Sequence, residues 1–387
     1  DNGLIEGFIG KTKVKKAVCR DLDNAVFPHK MPVGNIEAVF DRAVIEVMRG
    51  CPRGCRFCQA GFLYRPIRQR SVEHLTEQAV CLVKSTGFDE LSLTSLSTGD
   101  YPKLKELLKD LKTALPDTKI ALPSLRIDSF DGEFIGQSRK SSLTFAPEAG
   151  TQRLRDVINK DISEDEVERS VKIAFEKGYS SIKLYFMMGL PTETDEDLDG
   201  IADIVFKIKD VYSANPKYAR NLRISVSVST FIPKPFTPFQ WERQITREEF
   251  EHKVKRLKEK LFVKGVTFSW NDFSLSELEA VLARGDRRVA DVIEKAYKKG
   301  SFLDSWSECL KADKWFEAID ECGLKISSYT RERGENEFLP WDFIDIFVTK
   351  DYLLKERKKA YFGEVTGSCF KGCKACGVQK EFKCDRC

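Results

Sequence analysis

The sequence predicts an α/β chain: a partial, open (β/α)6 barrel followed by a smaller, mainly helical C-terminal domain that ends in a cysteine-rich metal site. Two observations predict the barrel. Six short apolar runs alternate with helical segments between about residues 42 and 262, and such alternation gives parallel strands joined by right-handed helical crossovers. Six units fall short of the eight that close a full barrel. A third observation predicts the second domain: beyond about residue 270 the rhythm stops, and five cysteines crowd the last 19 residues. The expected boundaries are a lead-in over 1–38, the barrel over 39–265 and the C-terminal domain over 266–387.

The lead-in is rich in turn residues and is expected to be irregular, with a short hairpin. AVIEVM (43–48) is a β-branched run and the first strand. SVEHLTEQAVCLVKSTG (71–87) has a Ser cap, an early Glu, helical apolar spacing and a closing Gly, so it is a helix. ELSLTSL (90–96) is a strand and YPKLKELLKDLKTAL (101–115) an amphipathic helix. KIALPSLRI (119–127) and SSLTFAPE (141–148) follow as strands. SEDEVERSVKIAFEKGY (163–179) carries acids in its first turn and Gly near its end, which suits a helix. SIKLYFMMG (181–189) reads as a buried strand, 195–212 as a helix, RISVSVSTFIP (223–233) as the last strand and 246–262 as the last barrel helix. In the C-terminal domain, 275–300 and 304–323 read as helices.

Composition sets bounds. The 387 residues are 42% hydrophobic and 32% charged, which fits a soluble globular protein, and the net charge of +4 neither demands nor excludes a nucleic-acid partner. No apolar run approaches the roughly 18 residues that a membrane span needs. DNGLIEGFIGKTKVKK lacks the apolar core and cleavage site of a secretory signal. The first residue is Asp, which reads as a processed product or a segment of a longer protein. Of twelve cysteines, eight fall in two tight groups. In a chain of this size without a signal, that points to metal binding in a reducing cytoplasm. Cys19, Cys81, Cys309 and Cys322 are scattered and read as small buried hydrophobes.

The first group, RGCPRGCRFCQAG (49–61), spaces Cys51, Cys55 and Cys58 as C-x3-C-x2-C just after the first strand. Three thiolates at this spacing can reach three corners of an iron–sulfur cube and leave one iron open for chemistry. Gly54 is expected to let the loop turn tightly, and Arg49, Arg53 and Arg56 to offset negative charge. Phe57 precedes the last cysteine. The alternative is zinc with a fourth ligand from elsewhere. In α/β sheets, sites gather at the C-terminal ends of strands, and further loops fit that rule. STGDY (97–101) offers Thr98, the small Gly99 and the acceptor Asp100. PSLRI (123–127) offers Arg126, APEAG (146–150) Glu148, and FMMGLPTET (186–194) a turn in which Met187 and Met188 read as packing residues.

C-x3-C-x2-C with an aromatic before the last cysteine, opening a (β/α)6 unit, resembles the radical S-adenosylmethionine (SAM) superfamily over roughly residues 40–265. The resemblance implies a 4Fe-4S cluster on Cys51, Cys55 and Cys58, with SAM chelating the fourth iron. It implies one-electron cleavage of SAM to methionine and a hydrogen-abstracting 5′-deoxyadenosyl radical, fed by a donor such as flavodoxin or ferredoxin. It also implies SAM contacts from Phe57, Thr98, Gly99, Asp100, Arg126 and Glu148: Asp100 on the ammonium, Arg126 on the carboxylate, Glu148 on the ribose or amine. STFIPKPFTPFQW (229–241) resembles the corresponding stretch in methylthiotransferases and in cobalamin-dependent radical SAM proteins.

The second group repeats the spacing at Cys369, Cys373 and Cys376, with no barrel behind it, and Cys384 and Cys387 follow. Cys373-x2-Cys376-x7-Cys384-x2-Cys387 is a four-thiolate array, with Cys369 a fifth candidate, and zinc and an auxiliary iron–sulfur cluster both fit. LARGDRRVADVIEKAYKKGSFLDSW (282–306), LPWDFID (339–345) and TGSCFKGCKACG (366–377) resemble a group of uncharacterised radical SAM proteins in which the catalytic domain follows an N-terminal cobalamin-binding domain. The chain starts about 40 residues before the first cluster, and only His29, His74 and His252 are present, so cobalamin is implied for the parent protein. ARGDRR (283–288) reads as a phosphate grip or as a solvated helix segment. The functional expectation is methyl or methylthio transfer to RNA or a ribosomal protein. The alternative is a non-catalytic metal-binding module that binds RNA.

Overall fold

The computed structural model describes residues 13–36, 41–123, 127, 142–215, 221–306 and 308–382. In chain order the strands are β1 (Val14–Lys15), β2 (Ala43–Glu46), β3 (Met48–Arg49), β4 (Arg68–Gln69), β5 (Glu90–Thr94), β6 (Lys119–Ala121), β7 (Leu143–Glu148), β8 (Ser181–Met188), β9 (Arg223–Thr230), β10 (Val266–Trp270) and β11 (Ile344–Asp345). The helices are α1 (Gln59–Leu63), α2 (Val72–Thr86), α3 (Leu104–Ala114), α4 (Gln152–Val157), α5 (Glu164–Glu176), α6 (Asp195–Ser213), α7 (Arg247–Leu261), α8 (Phe273–Arg284), α9 (Val289–Lys298), α10 (Ala312–Glu321), α11 (Ile326–Thr330) and α12 (Lys350–Tyr361).

Parallel strands run in the order β2-β5-β6 in one sheet and β7-β8-β9-β10 in another. Within each sheet every strand lies beside its predecessor in the repeat, as in a singly wound barrel rather than a doubly wound sheet. Among the described residues β2, β6, β7 and β10 are the edge strands of these two sheets. β10 is a seventh parallel strand. It pairs with β9 from Val266↔Ile224 to Trp270↔Val228, so the sheet runs past the boundary expected at 265. Its half-exposed sequence, VTFSW, gives no apolar run to read.

The helix caps form where the sequence places them. Ser71 accepts from the His74 amide, and Gly87 closes α2 in the left-handed region. Ser163 with Glu166, and Thr246 with Glu249, make reciprocal capping boxes on α5 and α7. Two apolar cores follow. Ala43, Ile45, Leu91 and Leu93 pack on Leu75, Leu82, Leu107 and Leu111 of α2 and α3. Ile182, Leu184, Phe186, Ile224, Val226 and Val228 pack on α5, α6 and α7. β8 is therefore buried on one face only: Lys183 and Tyr185 are exposed on the face turned from the helices. Strict alternation, not a continuous apolar run, is what a sheet covered on one side requires.

The lead-in makes no hairpin at its one described strand; β1 pairs in parallel with β11 instead. The segment 275–300 is two helices, α8 and α9, parted at Gly285. A Cβ there would lie 2.5 Å from the Val289 side chain and 2.6 Å from the Val281 carbonyl. Helix α10 begins at Ala312 rather than 304; Asp304 lies outside it and accepts from the Trp315 indole at 3.2 Å. Residues 339–378 do not pack apart from the barrel. Leu339, Trp341, Tyr352, Cys376 and Val378 share one core with Phe62 of α1 and Trp241. No described helix is long and apolar enough to cross a membrane.

Candidate functional site

Strand β2 delivers the chain to a loop that is closed at its base by the antiparallel pair β3 and β4. Cys51, Cys55 and Cys58 hang on this loop, all half-buried. Its tight turn belongs to Gly50 rather than to Gly54. Gly50 has φ +93°, and a Cβ there would meet the Tyr64 carbonyl at 2.7 Å. Gly54 serves a close approach: a Cβ would lie 3.1 Å from the Asn159 amide nitrogen.

Burial, reinforced by the Cys55 thiol, pushes Cys51 up to about 12. Burial and Cys55 also raise Cys58, against the backbone amides of Gly61 and Ala60 and the charge of Lys160. Amides and an ammonium near a sulfur favour its thiolate, but burial outweighs them at Cys58, so a bound metal would have to overcome that burial. Among the described residues no three His, Cys, Asp or Glu side chains converge on a point fit for a single ion. Ligands of an iron–sulfur cube do not converge, because each takes its own iron.

The loop arginines do not face the thiols with free charge. Arg49 pairs with Glu46 at 2.6 Å. Arg53 grips Asp100 at 2.7 Å and Asp161 at 2.8 Å. Arg56 is fully buried against Glu356 at 3.2 Å and donates to the Asp156, Val157 and Glu364 carbonyls. Each charge is offset by a carboxylate, and the cation beside Cys58 is Lys160.

The strand ends gather around this loop. After β5, Thr98, Gly99 and Asp100 form one 3-10 turn, with Thr98 buried. Asp100 accepts from Arg53 and from the Ser97 hydroxyl, which ties the turn after β5 to the cysteine loop. After β7, Glu148 takes φ +70° where the β7–β8 register shifts. Its carboxylate meets Lys160 at 3.1 Å, and the Lys160 ammonium lies 6.0 Å from the Phe57 ring centre. After β8, Gly189 donates to Glu193, which is buried beside Lys253 at 2.8 Å. Met188 is in the core and Met187 packs partly against another cluster, as packing residues do. After β9, the Pro235 carbonyl accepts from Gln59, next to Cys58, at 3.3 Å. Arg126 lies outside the described residues.

The second cysteine segment lies against the first. The Cys369 amide donates to the Pro52 carbonyl at 2.8 Å, and the Cys376 carbonyl accepts from Thr349 at 2.9 Å. Cys369 and Cys376 are buried and Cys373 is exposed; Cys384 and Cys387 lie outside the described residues. Arg65 sits between the two groups. It donates to the Gly61 and Arg53 carbonyls, and although burial opposes its charge, Tyr352, Cys369 and Cys376 hold it above its ordinary value. Asn159, Lys160, Arg65 and Glu356 were not marked in the sequence. Asn159 and Lys160 follow a short helix that no periodicity announces, and Glu356 acts on a loop 300 residues away.

Comparison with known proteins gives four findings. The model of the radical SAM superfamily matches residues 45–205. The uncharacterized protein MJ0966 of Methanocaldococcus jannaschii is 31% identical over 326 residues, which are 83% of this chain and 70% of that one. The ribosomal protein uS12 methylthiotransferase RimO of Thermotoga petrophila is 22% identical over 295 residues, 69% of this chain and 68% of that one. Among solved structures, the cobalamin- and cluster-bound radical SAM methyltransferase TsrM of Kitasatospora setae overlaps 51% of this chain and 38% of its own, at 17% identity and a TM-score of 0.40, a likeness too partial to bear on function.

Proposed function

The chain belongs to the radical SAM superfamily, and from that premise we propose an enzyme that holds a 4Fe-4S cluster on Cys51, Cys55 and Cys58 and transfers a methyl or methylthio group. When bound, the cluster and SAM supply one-electron cleavage of the sulfonium and the hydrogen-abstracting radical that this releases. The observation that carries the reading is the set of supports around the cysteine loop. Asp100 after β5 holds Arg53, Glu148 at the end of β7 holds Lys160 over Phe57, and the Pro235 carbonyl after β9 accepts from Gln59.

The chain's own residues divide the work. Arg53 and Asp100 fix the loop's first half to β5. Lys160 balances charge at Cys58 and is itself held by Glu148. Phe57, Thr98, Gly99, Arg126 and Glu148 line the SAM site, and Asp100 acts there through Arg53. A flavodoxin or ferredoxin supplies the electron. Methylthio transfer is favoured by the name of the relative at 22% identity, which modifies ribosomal protein uS12. The substrate class is a ribosomal protein or RNA, and cobalamin would enter with an N-terminal domain of the parent protein. Cys373, Cys376, Cys384 and Cys387, with Cys369 alongside, hold a second metal as zinc or iron–sulfur.

The test is anaerobic reconstitution with iron, sulfide, SAM and dithionite. Formation of 5′-deoxyadenosine is expected, and S-adenosylhomocysteine reports methyl transfer. Neither product, in protein loaded with iron, would refute the reading.

A further inference from the structure

The catalytic cysteine loop and the C-terminal cysteine segment are tied through one amide. Asn159 is buried, 2% exposed, and holds the left-handed region at φ +53°. Its side-chain nitrogen donates to the Gly54 carbonyl at 3.1 Å and to the Thr366 carbonyl at 2.9 Å, and its oxygen accepts from the Thr366 amide at 2.7 Å. Gly54 precedes Cys55; Thr366 stands three residues before Cys369. The link continues. The Thr366 hydroxyl donates to Glu356 at 2.8 Å, and Glu356 pairs with Arg56 on the far side of Cys55. A closed ring of polar contacts thus runs Gly54, Asn159, Thr366, Glu356, Arg56 and back through Cys55.

This ring does more than fill space. The amide makes three of its four possible hydrogen bonds, all to backbone. Its left-handed backbone is one that asparagine tolerates and a larger aliphatic residue would resist. A Cβ at position 54 would lie 3.1 Å from the amide nitrogen and press it aside by a few tenths of an ångström. The next residue, Lys160, is the cation beside Cys58.

We propose that Asn159 is a positioning residue that couples the two cysteine groups, so that the state of the C-terminal segment sets the geometry of the Cys51, Cys55 and Cys58 loop. The inference rests on the reading that this loop carries the cluster. The coupling runs through the Asn159 ring, the Cys369–Pro52 backbone bond and Arg65, and Asn159 carries the first.

The experiment is a double-mutant cycle on the full chain. Asn159→Gly keeps the left-handed backbone and deletes the amide. Asn159→Asp keeps the acceptor for Thr366 and loses both donors. Cys373→Ser perturbs the second group at its exposed member. The readouts are iron per chain and the paramagnetic resonance spectrum and midpoint potential of the reduced first cluster. The spectrum of the triple Cys51, Cys55 and Cys58→Ala variant is subtracted, since it reports the second group alone. Both Asn159 variants are expected to keep the first cluster's iron but shift its spectrum and potential. Cys373→Ser is expected to shift them in the parent chain and by less in Asn159→Gly. An unshifted spectrum with only a lowered melting temperature overturns the inference, as do strictly additive shifts. If Asn159→Gly fails to fold, Asn159→Asp carries the same cycle. A parent chain with no signal after subtraction brings down the cluster reading itself, an outcome distinct from a signal that the variants leave in place.

Discussion

Arg56 and Glu356 lie 3.2 Å apart with 0% and 3% of their side chains exposed, although 300 residues separate them. The pair joins the loop between Cys55 and Cys58 to helix α12. Burial presses the Arg56 charge down, and Glu356 holds it up.

Removing one partner should be costly. Arg56→Ala takes the guanidinium from the Glu356 carboxylate and leaves it Lys359 at 3.1 Å and the Thr366 hydroxyl, so the loss should fall below the roughly 3–5 kcal/mol of a fully broken buried pair. Replacing both, with Arg56→Met and Glu356→Leu, should recover part of that loss. Urea denaturation of the single and the double variant checks it; equal stabilities for the two would contradict it.

Changing Cys51, Cys55 and Cys58 to Ala should remove about four irons per chain and abolish formation of 5′-deoxyadenosine. The same variant should still bind zinc or iron through the C-terminal cysteines. Elemental analysis after reconstitution reads both, and a metal-free variant would rule out a second site.

Asp100→Ala should loosen Arg53 and with it the first half of the loop. A charge-assisted hydrogen bond is worth about 1.5–3 kcal/mol, so a chelator should strip iron from the variant faster than from the parent chain. Unchanged iron release together with weakened SAM binding would instead return Asp100 to the role of a direct SAM ligand.

Acid stability should carry the mark of Glu249. Its pairing with Arg243 draws the carboxyl down from an ordinary 4.5 to about 2. A carboxyl depressed by folding stabilises fully above its unfolded value, and that contribution fades as pH falls through the folded one. Glu249→Gln should therefore lower stability at pH 6 and leave it little changed at pH 2. Denaturation midpoints across this range decide, and parallel curves for both proteins would contradict the pairing.

The six expected strands and the capped helices were legible because each is a local pattern. Ser163 with Glu166 and Thr246 with Glu249 announce helix starts within four residues. β10 escaped because its VTFSW sequence is half-exposed, and α10 was started eight residues early because DSWSECLK mimics a helix in composition. The cysteines were legible as motifs. The ion pairs of Asp100 and the loop arginines were not, because each needs a partner from another part of the chain: Asp100 pairs with Arg53, Arg56 with Glu356. Lys160 stands beside Cys58 through a fold contact that no local pattern encodes.

The Cys369–Pro52 bond has a consequence for how the protein is made. The cysteine loop leaves the ribosome early, but residues 356–369, which complete its walls, follow some 300 residues later. At about 5–20 residues per second that is a delay of about 15–60 s. Through that interval Cys51, Cys55 and Cys58 stand in an unfinished cradle, open to oxidation and to stray metal. Loading of the proposed cluster should therefore be a late event in biogenesis, and chains cut short before residue 356 should accumulate without it.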